Sequence, residues 1–294
     1  TDLTQILSVL KTSDPICFLE ALFCWLIIAA LKGWRWQQIL AGQSILIPYP
    51  LAFRWYLAGL FLGGISPGRL GELIKVSFIR DMGHPMGRAL FSSVLDRLFD
   101  LMILPLVAIA GMALYESHFA EELEGALVAL CAIALGSLII WRLQHLIRPM
   151  IAVPVRILMP QSIRAEARMS VDDFFNEFST LRPAQWCLHA IVTTLCWVLY
   201  GGAALLLARS LGLEIDPIWI GIAVLSAALA GLLPITVSGI GTRDVVLAGF
   251  FTRVGASTAS AIALSTLLLG LNLAILLLYW PAYQRSLSKG SPSQ

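Results

Sequence analysis

The dominant pattern along the chain is a series of long apolar runs separated by short polar stretches. Five runs, at about 16–33, 89–114, 124–143, 184–208 and 257–281, approach or exceed the ~20 residues that carry a helix across ~30 Å of hydrocarbon. Each predicts a full transmembrane helix. Two further runs, about 55–80 and 217–253, are apolar but interrupted. The first holds Gly-Gly-Ile-Ser-Pro-Gly at 63–68, and the second holds Pro234 and Ser-Gly-Ile-Gly at 238–241. Pro67, Gly68 and Gly71, then Pro234, Gly239 and Gly241, are the expected helix breaks, because proline removes a backbone donor and glycine relaxes the chain. Backbone freed in this way is tolerated at membrane depth only where protein or water covers it. Both segments therefore read as re-entrant helical hairpins.

The polar stretches set an orientation. Lys32 and Arg35 follow the first run, Arg80 and Arg88 precede the second, and 142–182 holds six arginines, while 116–124 is acidic. The positive-inside rule places the basic stretches in the cytoplasm. With both interrupted segments as hairpins, residue 1 lies outside and the C-terminus inside. Trp34, Trp36, Trp141, Trp186 and Trp280 fall near predicted span ends, where interface anchors belong. The stretch 161–182 alternates charge and apolar residues at helical spacing, as a surface-lying helix does.

The hairpins also resemble each other. A shift of 172 residues sets Glu72 on Asp244, Phe78 on Phe250 and Gly83 on Gly255. Two broken segments of opposite predicted orientation are the pattern of inverted-topology repeats, whose discontinuous helices build a site near the midplane. The expected organisation is one domain, 1–294, with half-repeats at about 44–115 and 184–281 and a cytoplasmic amphipathic linker at about 144–182.

Composition narrows the class. Of 294 residues, 58% are hydrophobic and 13% charged, with a net charge of +2, which excludes a soluble domain and makes nucleic acid an unlikely partner. The cysteines Cys17, Cys24, Cys131, Cys187 and Cys196 sit in or beside apolar runs without metal-ligand spacing, and the histidines are scattered. No metal site and no cofactor is expected.

Ionisable side chains within apolar runs are costly and usually face protein or water. Here they gather at the breaks: Arg69, Glu72 and Lys75 in the first hairpin, Arg243 and Asp244 in the second, and Asp96, Arg97 and Asp100 in the span between. These eight are the candidate substrate-binding residues. Arg69 and Arg243 lie just past the breaks, beside a helix N-terminus that favours an anion, and a guanidinium fork suits phosphate. The alternative is that Arg69–Glu72 and Arg243–Asp244 merely neutralise each other. Asp96 and Asp100 share a helix face, and Arg97 could pair with a hairpin. Glu20 and Arg54 read as interfacial, and Asn272 as helix–helix glue.

The runs LKGWRWQQIL (31–40), ISPGRLGELIKVSFIRDMG (65–83), ALFSSVLDRLFDLM (89–102) and LLPITVSGIGTRDVVLAGFF (232–251) resemble, in order, the flippase-like membrane domain of bacterial lysylphosphatidylglycerol synthases. Where that family usually carries a glycine pair, this chain has Ser238-Gly239. The resemblance implies a domain that moves a phospholipid or lipid-linked head group between leaflets of a bacterial inner membrane, with two re-entrant elements framing a cavity. It also implies a further helix ahead of residue 1. No aminoacyl-transferase domain follows residue 294, so lipid aminoacylation is not implied.

The expected function is thus a lipid flippase for a phosphate-bearing lipid: a phospholipid, an aminoacyl-phospholipid or a polyprenyl-phosphate-linked lipid. Arg69 and Arg243 would take the phosphate, and Glu72 and Asp244 would hold those arginines or meet a cationic head group. No G-x-x-x-x-G-K-[ST] motif occurs in the sequence, so transport is expected to be passive or gradient-coupled. The alternatives are an integral-membrane transferase using Asp96-x-x-x-Asp100 for Mg²⁺, or an accessory subunit of lipid-linked glycan synthesis. A homodimer and a lipid-modifying enzyme are the expected partners besides the lipid.

Overall fold

The computed structural model describes residues 14–113, 183–231 and 239–288, together with 172–177 and scattered positions at 124–142 and 169. Every regular element among the described residues is helical. The elements are α1 (Pro15–Gly42), α2 (Tyr49–Ile65), a 3₁₀ helix (Pro67–Leu73), α3 (Ile74–Asp81) and α4 (Met86–Ala113), followed by α5 (Pro183–Ser210), α6 (Pro217–Gly231), α7 (Thr242–Arg253) and α8 (Thr258–Ser288). Most of the predicted span 124–143, the break at Pro234, the flanking Ser238, Trp141 and most of the linker lie outside the described residues.

Among the described residues three helices, α1, α5 and α8 as far as Pro281, are long and apolar enough to cross a membrane. At 1.5 Å per residue the 28 residues of α1 reach ~42 Å. Its start is fixed by Pro15 in the first turn and by Asp14, whose Oδ1 accepts the Ile16 N–H at 2.8 Å. α4 is as long as α1 but carries Arg88, Asp96, Arg97 and Asp100 along its length.

One expectation is corrected at α1. The helix does not stop where the apolar run stops; it continues to Gly42, so Lys32 and Arg35 lie within it rather than in a loop. Trp36, expected at the interface, is fully buried, and its indole N–H donates to Ser92 Oγ at 3.3 Å. Arg54, expected just ahead of the interrupted segment at about 55–80, lies inside α2. No proline interrupts 31–42, and the two cations find carboxylates on α4, so the helix has no reason to end.

The first interrupted segment is a short helix, a break at Ser66, a 3₁₀ turn and a second short helix, and the second has a short helix on each side of 232–241, of which only 239–241 are described. α2 has 17 residues and α6 has 15, so they reach ~26 Å and ~22 Å. Both fall short of the hydrocarbon thickness. In the first segment the two arms meet through small residues. Gly59 lies against the Lys75 side chain and Gly63 against the Glu72 side chain, four residues apart on one face of α2. Gly71 lies against the Leu62 carbonyl, so its role is close approach of two backbones rather than a break.

The second arms end alike. α3 closes with Gly83 at φ +89°, its N–H bonded to the Arg80 carbonyl and the His84 N–H to Ile79. α7 closes with Gly255 at φ +72°, its N–H bonded to Thr252 and the Ala256 N–H to Phe251. Every partner is displaced by the same 172 positions, as are the left-handed residues Arg69 and Gly241. Packing between the halves is reciprocal: α2 packs on α8, α6 packs on α4, and α1 packs on α5. The main apolar core joins α1, α4, α5, α6, α7 and α8, and a smaller one gathers the end of α1 with α2, α3 and the start of α4.

A Cβ at residue 71 would lie 2.3 Å from the Leu62 carbonyl oxygen, which is backbone and cannot yield. Gly71→Ala should therefore lower stability by about 1–3 kcal/mol, the usual cost of overpacking. Gly201→Ala, with nothing within 4 Å, should leave it unchanged. Thermal denaturation of the two variants in detergent checks this.

Candidate functional site

The site begins at Arg35, whose side chain has no exposure. Its Nε and Nη2 donate to Asp96 Oδ1 at 3.1 and 2.7 Å, and Nη2 also donates to the Asp96 carbonyl at 2.9 Å. Nη1 reaches Asp100 Oδ1 at 3.2 Å and the Thr193 hydroxyl of α5. Asp96 and Asp100 can both meet one guanidinium because residues four apart share a helix face. One turn earlier in α1, Lys32 Nζ donates to Asp100 Oδ2 at 2.9 Å and sits 4.9 Å from the Trp197 ring centre.

The first interrupted segment joins this network from its other side. Lys75 of α3, almost fully buried, donates to Asp96 Oδ2 at 3.2 Å. Its ammonium lies 4.6 and 5.2 Å from the ring centres of Tyr56 and Trp36, an arrangement in which the ring faces offset part of the desolvation. Arg97 pairs with Glu72 and has Asp100 at 3.7 Å. Four cations thus share three carboxylates. The pairing Arg69–Glu72 does not form, because Arg97 takes Glu72.

The second segment is held differently. Arg243 donates through Nε to the Ser265 hydroxyl at 2.8 Å and through Nη2 to the Ser265 carbonyl at 2.9 Å. Asp244 does not pair with it directly. Asp244 Oδ2 accepts the Gly241 N–H at 3.0 Å, closing the start of α7, and Oδ1 accepts from the Ser265 hydroxyl. Gly239 and Gly241, both with positive φ, supply the turn.

Between these structures lies a cavity of about 110 Å³. Lys32, Arg69, Arg97 and Arg243 line it, with the aromatic rings of Trp25, Tyr56, Trp197, Tyr200 and Tyr279 and the small residues Ala29, Gly64, Gly231 and Gly239. Among the described residues no carboxylate is in this wall. Arg69 stands in the left-handed region at φ +58°, unusual for a residue with a side chain, and its guanidinium makes no hydrogen bond or ion pair among the described residues. Such backbone is often found at functional sites.

Of the eight candidate residues, Arg69, Arg97 and Arg243 line the cavity; Glu72, Lys75, Asp96, Asp100 and Asp244 stand behind it, tied to partners. The sequence reading missed Lys32 and Arg35 as members of the network. Their i, i+3 spacing in an unbroken LKGWRWQQIL was the available signal. It also missed the aromatic lining, and Asn272 lines the cavity where glue was expected. Among the described residues no group of three His, Cys, Asp or Glu is placed to hold a metal ion, and the described cysteines are free.

Apolar helices of spanning length around a buried cationic cavity define a polytopic helical membrane protein. The chain belongs to the family of the lysylphosphatidylglycerol synthase TM region, whose model matches residues 1–279. It is similar to a UPF0104 membrane protein of Methanocaldococcus jannaschii, 22% identical over 277 residues covering 89% of this chain and 82% of the relative. A UPF0104 membrane protein of Methanothermobacter thermautotrophicus is 23% identical over 279 residues, covering 88% and 82%. No solved structure matches the chain.

Removing one member of a buried ion pair strands the other. Arg35→Met should therefore cost about 3–5 kcal/mol. Pairing it with Asp96→Asn should recover part of that loss, by a coupling of about 0.5–3 kcal/mol. Arg80→Met breaks only the exposed Arg80–Asp81 pair and should fall within about 0.5 kcal/mol of the parent. A double-mutant cycle followed by thermal denaturation in detergent measures all three.

Proposed function

We propose that this protein moves a phosphate-bearing lipid between membrane leaflets, with the head group passing through the cavity and the tails remaining in the bilayer. The observation that carries the reading is the cavity wall, in which four cationic side chains stand among aromatic and apolar residues with no carboxylate among the described residues. A helical membrane protein that holds charge in its interior needs a reason to do so. The buried carboxylates explain Arg35 and Lys75 fully, but they leave Arg69 without an ion-pair partner among the described residues. At about 110 Å³ the cavity has room for a phosphate group while the tails stay in the bilayer.

In this reading the two interrupted segments are re-entrant arms, and the charged network is the hinge that fixes the first of them. The transferase alternative needs Asp96 and Asp100 free for Mg²⁺. Both are committed to Arg35, with Lys75 and Lys32 on their remaining oxygens, so a metal would have to displace several ion pairs.

The test is leaflet exchange of acyl-labelled lipids in vesicles containing only the purified protein. Arg69→Gly removes the charge while relaxing a left-handed backbone, so it cannot lose activity through backbone strain. Exchange should exceed that of empty vesicles. In Arg69→Gly it should fall roughly tenfold or more, the worth of a charge-assisted hydrogen bond, with a thermal midpoint no lower than the parent's. Absence of exchange across phospholipids and polyprenyl-phosphate lipids would refute the reading.

A further inference from the structure

The balance of charge at the cavity, and not only its sign, bears on what it accepts. Six cations belong to the cavity and the network behind it: Lys32, Arg35, Arg69, Lys75, Arg97 and Arg243. Among the described residues four carboxylates answer them: Glu72, Asp96 and Asp100 through ion pairs, and Asp244 through the Ser265 hydroxyl that it shares with Arg243. Two positive charges are left over in a low-dielectric interior, where unbalanced charge is expensive.

A second, independent feature points to the same ligand. Three buried polar atoms of residues in the cavity wall have no hydrogen-bond partner among the described residues: the hydroxyls of Tyr56 and Tyr279 and the indole nitrogen of Trp197. Their side chains are 1%, 3% and 8% exposed. An indole N–H can only donate, and a phenol can donate. With the four cations they make a wall of donors. A dianionic phosphate presents only acceptor oxygens, whereas an ammonium presents only donors and finds no carboxylate among the described residues of this wall.

From this we infer that the head group taken up is a dianion, a lipid ending in a terminal phosphate, and that cationic aminoacyl head groups and zwitterions are rejected. The inference rests on the transport reading and narrows it. A terminal phosphate brings the charge of the assembly to zero. A phosphodiester such as phosphatidylglycerol leaves one positive charge, phosphatidylcholine leaves two, and a lysyl-ester head group with one net positive charge raises the excess to three. Arg69 and Arg243 grip the phosphate from the two interrupted segments, and Tyr56, Trp197 and Tyr279 supply its remaining donors.

The experiment compares four acyl-labelled probes, each a minor component of phosphatidylcholine vesicles containing the purified protein: phosphatidic acid, phosphatidylglycerol, phosphatidylcholine and lysylphosphatidylglycerol. Phosphatidic acid should exchange fastest, at least roughly tenfold faster than phosphatidylcholine, since a single charge-assisted hydrogen bond is worth that much. Lysylphosphatidylglycerol should be slowest. Arg69→Gln removes one of the two surplus charges, so it should erase the advantage of phosphatidic acid over phosphatidylglycerol, and Arg69→Lys should keep it. Equal rates for phosphatidic acid and lysylphosphatidylglycerol overturn the dianion inference while transport stands. An advantage that Arg69→Gln leaves intact overturns the assignment of the surplus charge to this cavity. If none of the four exchanges above empty vesicles, transport fails and the inference fails with it.

Discussion

A guanidinium without exposure, ringed by two aspartates, is the fixed point of this molecule. Charge is expensive in an apolar interior, and it persists only where geometry is close to ideal and every donor finds an acceptor. Arg35 meets that standard: bonds to Asp96 through two nitrogens, to Asp100 through a third, and to a hydroxyl of α5. The requirement locks α1, α4 and α5 in one register, since a shift of one residue would turn an aspartate away from the guanidinium. Once that register exists, Lys75 and Glu72 have a place to dock. The first interrupted segment is then held by charge on one side and by the glycines of α2 on the other.

This arrangement separates two kinds of charge that look alike in sequence. The carboxylates stand behind the cavity wall, each engaged. The cations stand partly in the wall and partly behind it, and their surplus faces the cavity. A chain with a net charge of only +2 thereby presents an interior cavity whose charged lining, among the described residues, is all cationic. Arg69 is the clearest instance, held in a backbone conformation that glycine would adopt more readily and without an ion partner among the described residues.

Much of the architecture could be read from residues alone, because hydrocarbon thickness and the conformational limits of proline and glycine act locally. The interrupted character of both segments followed from 63–68 and 238–241, and the pairing of Arg97 with a hairpin from its place on α4. Lys32, Arg35 and Trp36 were misread for the opposite reason. A window of hydropathy registers the loss of apolar character after Leu31, but it cannot register that Asp96, 61 residues later, supplies the missing partner. The aromatic donors were equally invisible, since Tyr56, Trp197 and Tyr279 come from three separate helices and mean nothing until those helices meet.

The 61-residue separation between Arg35 and Asp96 also has a bearing on biogenesis. A ribosome adds roughly 5–20 residues per second, so α1 is made several seconds before the aspartates that neutralise it. During that interval α4 is not there to offset Lys32 and Arg35, and carrying either into the centre of the bilayer would cost about 2.5–3.5 kcal/mol. The apolar first half of α1 can enter the bilayer at once, whereas Lys32 and Arg35 must wait at its polar margin. Their burial is therefore a late event of assembly, completed when α4 arrives and draws the end of α1 inward.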